Sequence, residues 1–259
     1  MTMQKKKEYI NQLFHEHFDK VIVLTVDRFQ ERQQKIRERL KGIDFEFFYG
    51  VDKNELSDEF IEENYQHDRR NTVTVNLYAK PLNKGEIACA LSHREIYHAM
   101  TENNWKRLLI FEDDVIPDDQ NLSLLPGVFS ELPGNWELLY LGYLKNERIN
   151  YGKQLKQAWY KIQGGLGLTK LPYSMIKNLL PRPLSAHLLR AGYHDCTHAY
   201  AVHIEAAKKI IKLQTPVRYR ADNAISHLVL KDSIHAFTCT PPLFHQEVFI
   251  DKSSKSYIR

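Results

Sequence analysis

No apolar stretch of the chain approaches the roughly 18–20 residues that span a bilayer, and the basic start from Met1 to Lys7 leads into no long apolar run. Neither a transmembrane helix nor a signal peptide is expected. Cysteine is scarce: Cys89, Cys196 and Cys239 lie far apart and are odd in number. They form no CxxC pair and no disulfide framework, which points to a reducing, cytoplasmic setting. Charge of one sign is also lacking. A net charge of +4, spread along the chain, gives no footing for nucleic acid. Lys252, Lys255 and Arg259 read as a solvated tail, whose one alternative use is peripheral contact with an anionic membrane surface. Repeats, low-complexity segments and the phosphate-loop pattern G-x-x-x-x-G-K-[ST] are absent, and Gly164-Gly165-Leu166-Gly167 reads as a flexible loop. His194, Cys196 and His198 alternate along a strand pattern, but no fourth ligand is spaced nearby, so zinc is not expected.

What is present is an alternation of strand and helix signals over 259 residues, enough for one large α/β domain or two small ones. Residues 1–19 read as an amphipathic helix with Tyr9, Ile10, Leu13, Phe14 and Phe18 on its apolar side. Val21–Leu24 is a continuous apolar run of the kind a buried parallel strand needs. Asp27 offers a cap for a helix anchored by Ile36 and Leu40 and ended by Gly42. Phe45–Tyr49 is a second strand, and strand–helix–strand openings of this kind commonly bind nucleotides. After a polar stretch with a short helix at 57–64, Asn83 and Glu86 form a capping-box pattern for a helix running to about Asn103. Strands are expected at 108–111, 136–141, 197–202 and 234–239, with helices at 204–213 and from Asp222. Between 143 and 195 periodicity dissolves into Gly, Pro, Tyr and Lys, as in functional or mobile loops.

The chemistry concentrates where Leu108-Leu109-Ile110-Phe111 ends in Glu112-Asp113-Asp114. Three carboxylates after a buried strand are costly unless something positive meets them. A divalent cation at the carboxyl end of the strand meets that need, and oxygen ligands suit Mg²⁺ or Mn²⁺. An exposed acidic turn is the alternative. On the Asn83 helix, Glu86, Cys89, His93, Ile96, Tyr97 and Met100 share one stripe, which turns Glu86 and His93 toward a pocket unless they serve only as cap and core. Asp222 opens an apolar helix, either as a simple N-cap or as a general base in a cleft. His245 is a candidate third metal ligand or an exposed loop histidine. Tyr151, Trp159, Tyr160 and Tyr173 are candidates for stacking on sugar faces.

Several of these segments together resemble glycosyltransferase family 25, the bacterial lipo-oligosaccharide galactosyltransferases and their procollagen galactosyltransferase relatives. Val21–Arg32 resembles the family's opening, Leu82–Arg94 its most specific motif and Glu112–Asp114 its metal-binding acidic triplet. Thr197–Tyr200, Ala206, Asp222, Pro242 and Gln246 follow in the family's order, whereas 143–195 matches little. The resemblance implies a single GT-A-like domain, a mixed sheet flanked by helices, with residues 1–19 as a helical extension and 143–195 as the acceptor side. It implies Mn²⁺ or Mg²⁺, a UDP-sugar donor such as UDP-galactose, a saccharide or glycolipid acceptor in surface-glycan or lipopolysaccharide synthesis, and inversion at the anomeric carbon. Thr25, Asp27, Arg28, Arg32, Glu86, Ser92, His93, Glu112 and Asp113 would then serve the donor. Asp114 and Asp113, with His245, would hold the metal, Asp222 would be the base, and Gln246 would join the acceptor side. A metal-dependent phosphohydrolase and a non-catalytic sugar-binding protein are the competing readings.

Overall fold

The structure is a computed structural model describing residues 3–69, 71–72 and 74–250; the basic tail residues Lys252, Lys255 and Arg259 lie outside the described residues. In chain order the elements are α1 (Met3–His17), β1 (Lys20–Thr25), α2 (Gln30–Arg39), β2 (Glu46–Tyr49), α3 (Asp58–Asn64), α4 (Lys84–Glu102), β3 (Arg107–Glu112), β4 (Val115–Pro117), α5 (Leu125–Glu131) and β5 (Leu138–Leu144). There follow α6 (Tyr151–Gly165), α7 (Tyr173–Ile176), β6 (Arg182–Pro183), β7 (Leu188–Arg190), β8 (Asp195–His203), α8 (Ile204–Leu213), α9 (Ala221–Leu230), β9 (Ala236–Cys239), β10 (Phe244–Gln246) and α10 (Glu247–Ile250).

An eight-stranded mixed sheet in the order β2-β1-β3-β8-β5-β9-β7-β6 carries the fold. β1 runs parallel to both β2 and β3, and β8 is antiparallel to β3 and β5. Because successive strand residues point to opposite faces, the apolar runs feed two cores. Val21, Val23, Leu109, Phe111, Leu139 and Leu141 pack with α1, α2 and α5 on one face. Ile22, Leu24, Leu108, Ile110, Leu138 and Tyr140 pack with α4, α8 and α9 on the other. This is the expected α/β class with a mixed sheet between helical layers.

Local chemistry sets the ends of the elements that frame the site. Asn83 caps α4, accepting from the Glu86 amide while the Glu86 carboxylate accepts from the Asn83 amide, the full capping box. Ser57 caps α3. α2 starts later than expected, with Phe29 rather than Asp27 at its N-cap. Gly50 ends β2 under α4: a Cβ there would lie 2.5 Å from the Ser92 hydroxyl oxygen and 2.8 Å from a Leu24 methyl, so the loop after β2 can approach α4 only without a side chain. Tyr9 does not join the apolar side of α1, being 44% exposed.

The largest departure from expectation lies within 143–195. Instead of an irregular loop it holds the 15-residue α6, capped by Asn150, together with α7 and the strands β6 and β7. No residue of α6 is buried. Its apolar stripe, Tyr151, Leu155, Trp159 and Ile162, faces outward, and the Gly, Tyr and Lys residues around it obscured that helical spacing in the sequence.

Candidate active site

β1 and β3 are adjacent and parallel, and the chain leaves β1 first toward β2 on one side and later returns as β3 on the other. Such a switch point opens a crevice at the carboxyl ends of the strands. Leu24 pairs with Glu112 in register, and the Asp113 amide donates to the Leu24 carbonyl, 3.1 Å. The end of β3 thereby places the acidic triplet in a cleft whose walls include Thr25, Arg28, Arg32, Asp52, Cys89, Ser92 and Gln246. A second cavity of about 290 Å³, which contains Glu86, Thr197, Arg220 and Asp222, shares Cys89, Glu112, Gln246 and Val248 with it. The two cavities adjoin at these residues.

The positive partner that the triplet demands is partly supplied by the chain itself. Arg32 Nη2 lies 2.7 Å from Asp113 Oδ1 and 3.1 Å from Asp114 Oδ2. Thr25 donates its hydroxyl to Asp113 Oδ2, 2.6 Å. Burial outweighs Arg32 and raises the Asp113 carboxyl above the usual range. Asp113 is thus a buried strut that orients Arg32. Glu112 faces the other way, accepting from the Thr197 hydroxyl at 2.8 Å and lying 3.4 Å from His93 Nε2. Burial would raise Glu112, yet His93 and Thr197 hold it below the usual glutamate value. Behind His93, whose Nδ1 is 2.8 Å from the Tyr200 hydroxyl, Tyr200 meets Tyr97 at 2.7 Å. His93 therefore supports the cleft wall from the core.

Asp114 is different. Gln246 donates to its Oδ2 at 3.0 Å, but Oδ1 is buried without a hydrogen-bond partner. Burial, then the charge of Glu112, pushes its carboxyl up to about 7. An orphaned acceptor of this kind is where a cation fits. No three His, Cys, Asp or Glu side chains converge as a metal cluster among the described residues. A hard dication held by one or two carboxylates, with phosphate and water oxygens completing its shell, needs no such cluster.

The structure corrects several expected roles. β10 pairs with β4, and alternation along β10 sends Gln246 to Asp114 while His245 turns to Asp118, 3.2 Å away. His245 therefore sits apart from the triplet, while Gln246 bonds the triplet and also lines the cavity that holds Asp222. Asp27 is exposed and lines neither cavity. Ser92 borders the cleft, but its hydroxyl is engaged, accepting from the Val51 amide at 2.9 Å and donating to the Ala88 carbonyl at 2.7 Å. Glu86 does two things at once: it caps α4 and pairs with Arg220 at 2.6 Å. Tyr160 lines a separate cavity beneath α6, whereas Tyr151, Trp159 and Tyr173 are exposed.

Asp222 lies inside the first turn of α9, with Arg220 at the cap position. The Cys196 amide donates to its Oδ2 at 3.1 Å and the Asn223 amide to its Oδ1 at 2.7 Å. Cys196 adopts φ +67°, a left-handed conformation uncommon outside glycine; this turn breaks the alternation expected for His194, Cys196 and His198. Desolvation raises the Asp222 carboxyl above its ordinary range. Burial pushes the Cys89 and Cys196 thiols up as well, so neither is a ready nucleophile. Sequence reasoning missed Asp52, which is buried, lines the cleft and pairs with Arg28. Its signal was available, since an acidic residue just past the second strand of a strand–helix–strand unit is where ribose hydroxyls are held.

A family model for glycosyltransferase family 25, described as LPS biosynthesis protein, matches residues 18–225. A glycosyltransferase 25 family member of Anopheles gambiae is 27% identical over 200 residues, covering 75% of this chain and 28% of that protein. Human procollagen galactosyltransferase 2 is 25% identical over 136 residues, 51% of this chain and 17% of that protein. A human protein named inactive glycosyltransferase 25 family member 3 is 28% identical over 142 residues, 54% of this chain and 19% of its own length. The chain thus spans less than a third of the length of these relatives. With the model matching residues 18–225, from β1 into the first half of α9, the chain belongs to glycosyltransferase family 25.

Proposed function

We propose that the cleft transfers a hexose from a nucleotide-sugar donor to a saccharide acceptor with inversion, and that the donor is a UDP-sugar, most simply UDP-galactose. The observation that carries this reading is the adjacency of the two cavities, which share four wall residues. A carboxylate with a free oxygen, Asp114, stands at one end and a carboxylate held by two backbone amides, Asp222, at the other. Arg28, Asp52 and Lys53 line the donor end, where Asp52 would accept from ribose hydroxyls. Asp114 would hold Mn²⁺ or Mg²⁺ with Asp113 and Arg32 fixing its orientation. Such an ion, when bound, neutralises charge developing on the departing diphosphate. Asp222 takes the proton from the acceptor hydroxyl, and the Cys196 and Asn223 amides aim its oxygens while they do so.

Likeness to a procollagen galactosyltransferase supports galactose, and membership of a family of lipopolysaccharide-biosynthesis proteins supports a surface-glycan or lipopolysaccharide setting with a glycolipid acceptor on the cytoplasmic side. No helix among the described residues is long and apolar enough to cross a membrane. The test is incubation with Mn²⁺ and a panel of nucleotide sugars, with and without saccharide acceptors, measuring released nucleotide. Release from a UDP-hexose that rises with acceptor supports transfer. Phosphate release without a sugar preference favours the hydrolase, and binding without turnover favours the sugar-binding protein.

A further inference from the structure

α6 is amphipathic in the wrong sense for a helix that only covers a core. Lys153, Gln157 and Tyr160 face inward and line a cavity of about 300 Å³. Tyr151, Leu155, Trp159, Ile162 and Leu166 recur at the three- and four-residue spacing of one helical stripe. With Leu168 just beyond the helix, they are 53% to 73% exposed. Leaving such a stripe in water is unfavourable by roughly 1.5–3 kcal/mol per large side chain, and contiguous exposed apolar surface marks an interaction site.

The charge around the stripe says what covers it. Residues 145–177 contain seven basic residues, Lys145, Arg148, Lys153, Lys156, Lys161, Lys170 and Lys177, against a single acid, Glu147. That local excess of six positive charges exceeds the net +4 of the whole chain, so the remainder is net negative. Lys161 flanks the stripe on one side, about 120° from its centre at the helical repeat of 3.6 residues, and Lys156, which also borders the cavity beneath, flanks it on the other at about 100°. Apolar side chains bordered by lysines are the pattern of helices that lie in the headgroup region of anionic bilayers, with lysine stems on the apolar boundary and amines at the phosphates. A second copy of the chain is the poorer occupant, because a symmetric pair would bring two such positive patches together.

We propose that the outward face of α6 is a membrane-docking surface that inserts into the interface of a bilayer rich in anionic phospholipid. This does not depend on the transfer reaction. It places α6 between the bilayer and the lysine-lined cavity beneath it, beside Asn223 and hence next to Asp222.

The test is co-sedimentation of the full chain with vesicles of phosphatidylglycerol mixed with phosphatidylcholine, and with phosphatidylcholine alone, at low and high salt. The account requires binding to the anionic vesicles that weakens in salt, with a blue shift of tryptophan emission that disappears in Trp159→Phe. Replacing Trp159 and Ile162 together by Ser should lower the partition coefficient at least about tenfold, since two large apolar groups no longer insert, while circular dichroism stays unchanged. Absence of binding, equal salt-insensitive binding to neutral vesicles, or undiminished binding of the double variant would overturn the proposal. So would a dimer in solution that dissociates in the double variant, which would assign the face to a second copy.

Discussion

Arg32 and Asp222 carry the account at the level of single residues. Arg32 meets two carboxylates, and its own side chain is 19% exposed against 7% for Asp113 and 16% for Asp114. Removing one partner of a buried ion pair leaves uncompensated charge, worth about 3–5 kcal/mol. Arg32→Gln should therefore lower stability by that order in chemical denaturation. Mn²⁺ should restore part of the loss, because binding to the folded state alone is stabilising. A variant as stable as the parent, with or without Mn²⁺, would remove Arg32 from this role. For Asp222, the carboxylate is the working form, and desolvation raises its pKa above the ordinary value. Acidification must then extinguish transfer at a pH above the usual aspartate range, with the rate rising through that pKa toward neutrality. Asp222→Asn should lose about 10²–10⁴ in rate and lose this acid limb, while UDP binding survives. Near-normal transfer, or a product of retained anomeric configuration, would dismiss Asp222 as the base.

Among the elements, α4 shows how sequence signals and site coincide. Asn83 and Glu86 announced its start, and the same Glu86 reaches Arg220 across the Asp222 cavity. Asn83→Ala should cost about 1 kcal/mol and loosen the Glu86 end of the wall; an unchanged thermal midpoint would show the cap to be dispensable. Gly50→Ala forces a Cβ against Ser92 and Leu24. It should destabilise by more than the fraction of a kcal/mol that a compatible glycine-to-alanine change gains, and a stabilised Gly50→Ala protein would contradict the close approach seen here. α6 is the converse case. Its helical spacing was hidden among Gly, Tyr and Lys, so the segment read as irregular, and the sequence contains no cue to which side a helix turns its apolar stripe. Likewise Cys196, with its positive φ, breaks the alternation of the His-x-Cys-x-His pattern: period two holds only while the strand stays extended.

For the whole molecule, the apolar runs of β1, β3 and β5 and the strand–helix–strand opening made the α/β class readable, because a buried parallel strand has few alternatives. The triplet was readable as a site for the same reason that it is unstable alone. What escaped was long-range: Arg32 arrives from far upstream, Thr197 and Gln246 from far downstream, and β10 sends His245 away while bringing Gln246 in. Such pairings depend on sheet order and strand register, which a linear pattern does not encode. The central claim is that this assembled cleft takes a nucleoside diphosphate through a dication on Asp114. Calorimetric titration of UDP with Mn²⁺, and again with chelator, tests it most directly in the parent and in Asp114→Ala. The account predicts tight binding only in the parent with Mn²⁺, at least tenfold weaker binding in the other three titrations, and an unchanged fold in the variant. Equal UDP affinity with Mn²⁺ and with chelator in the parent would contradict it.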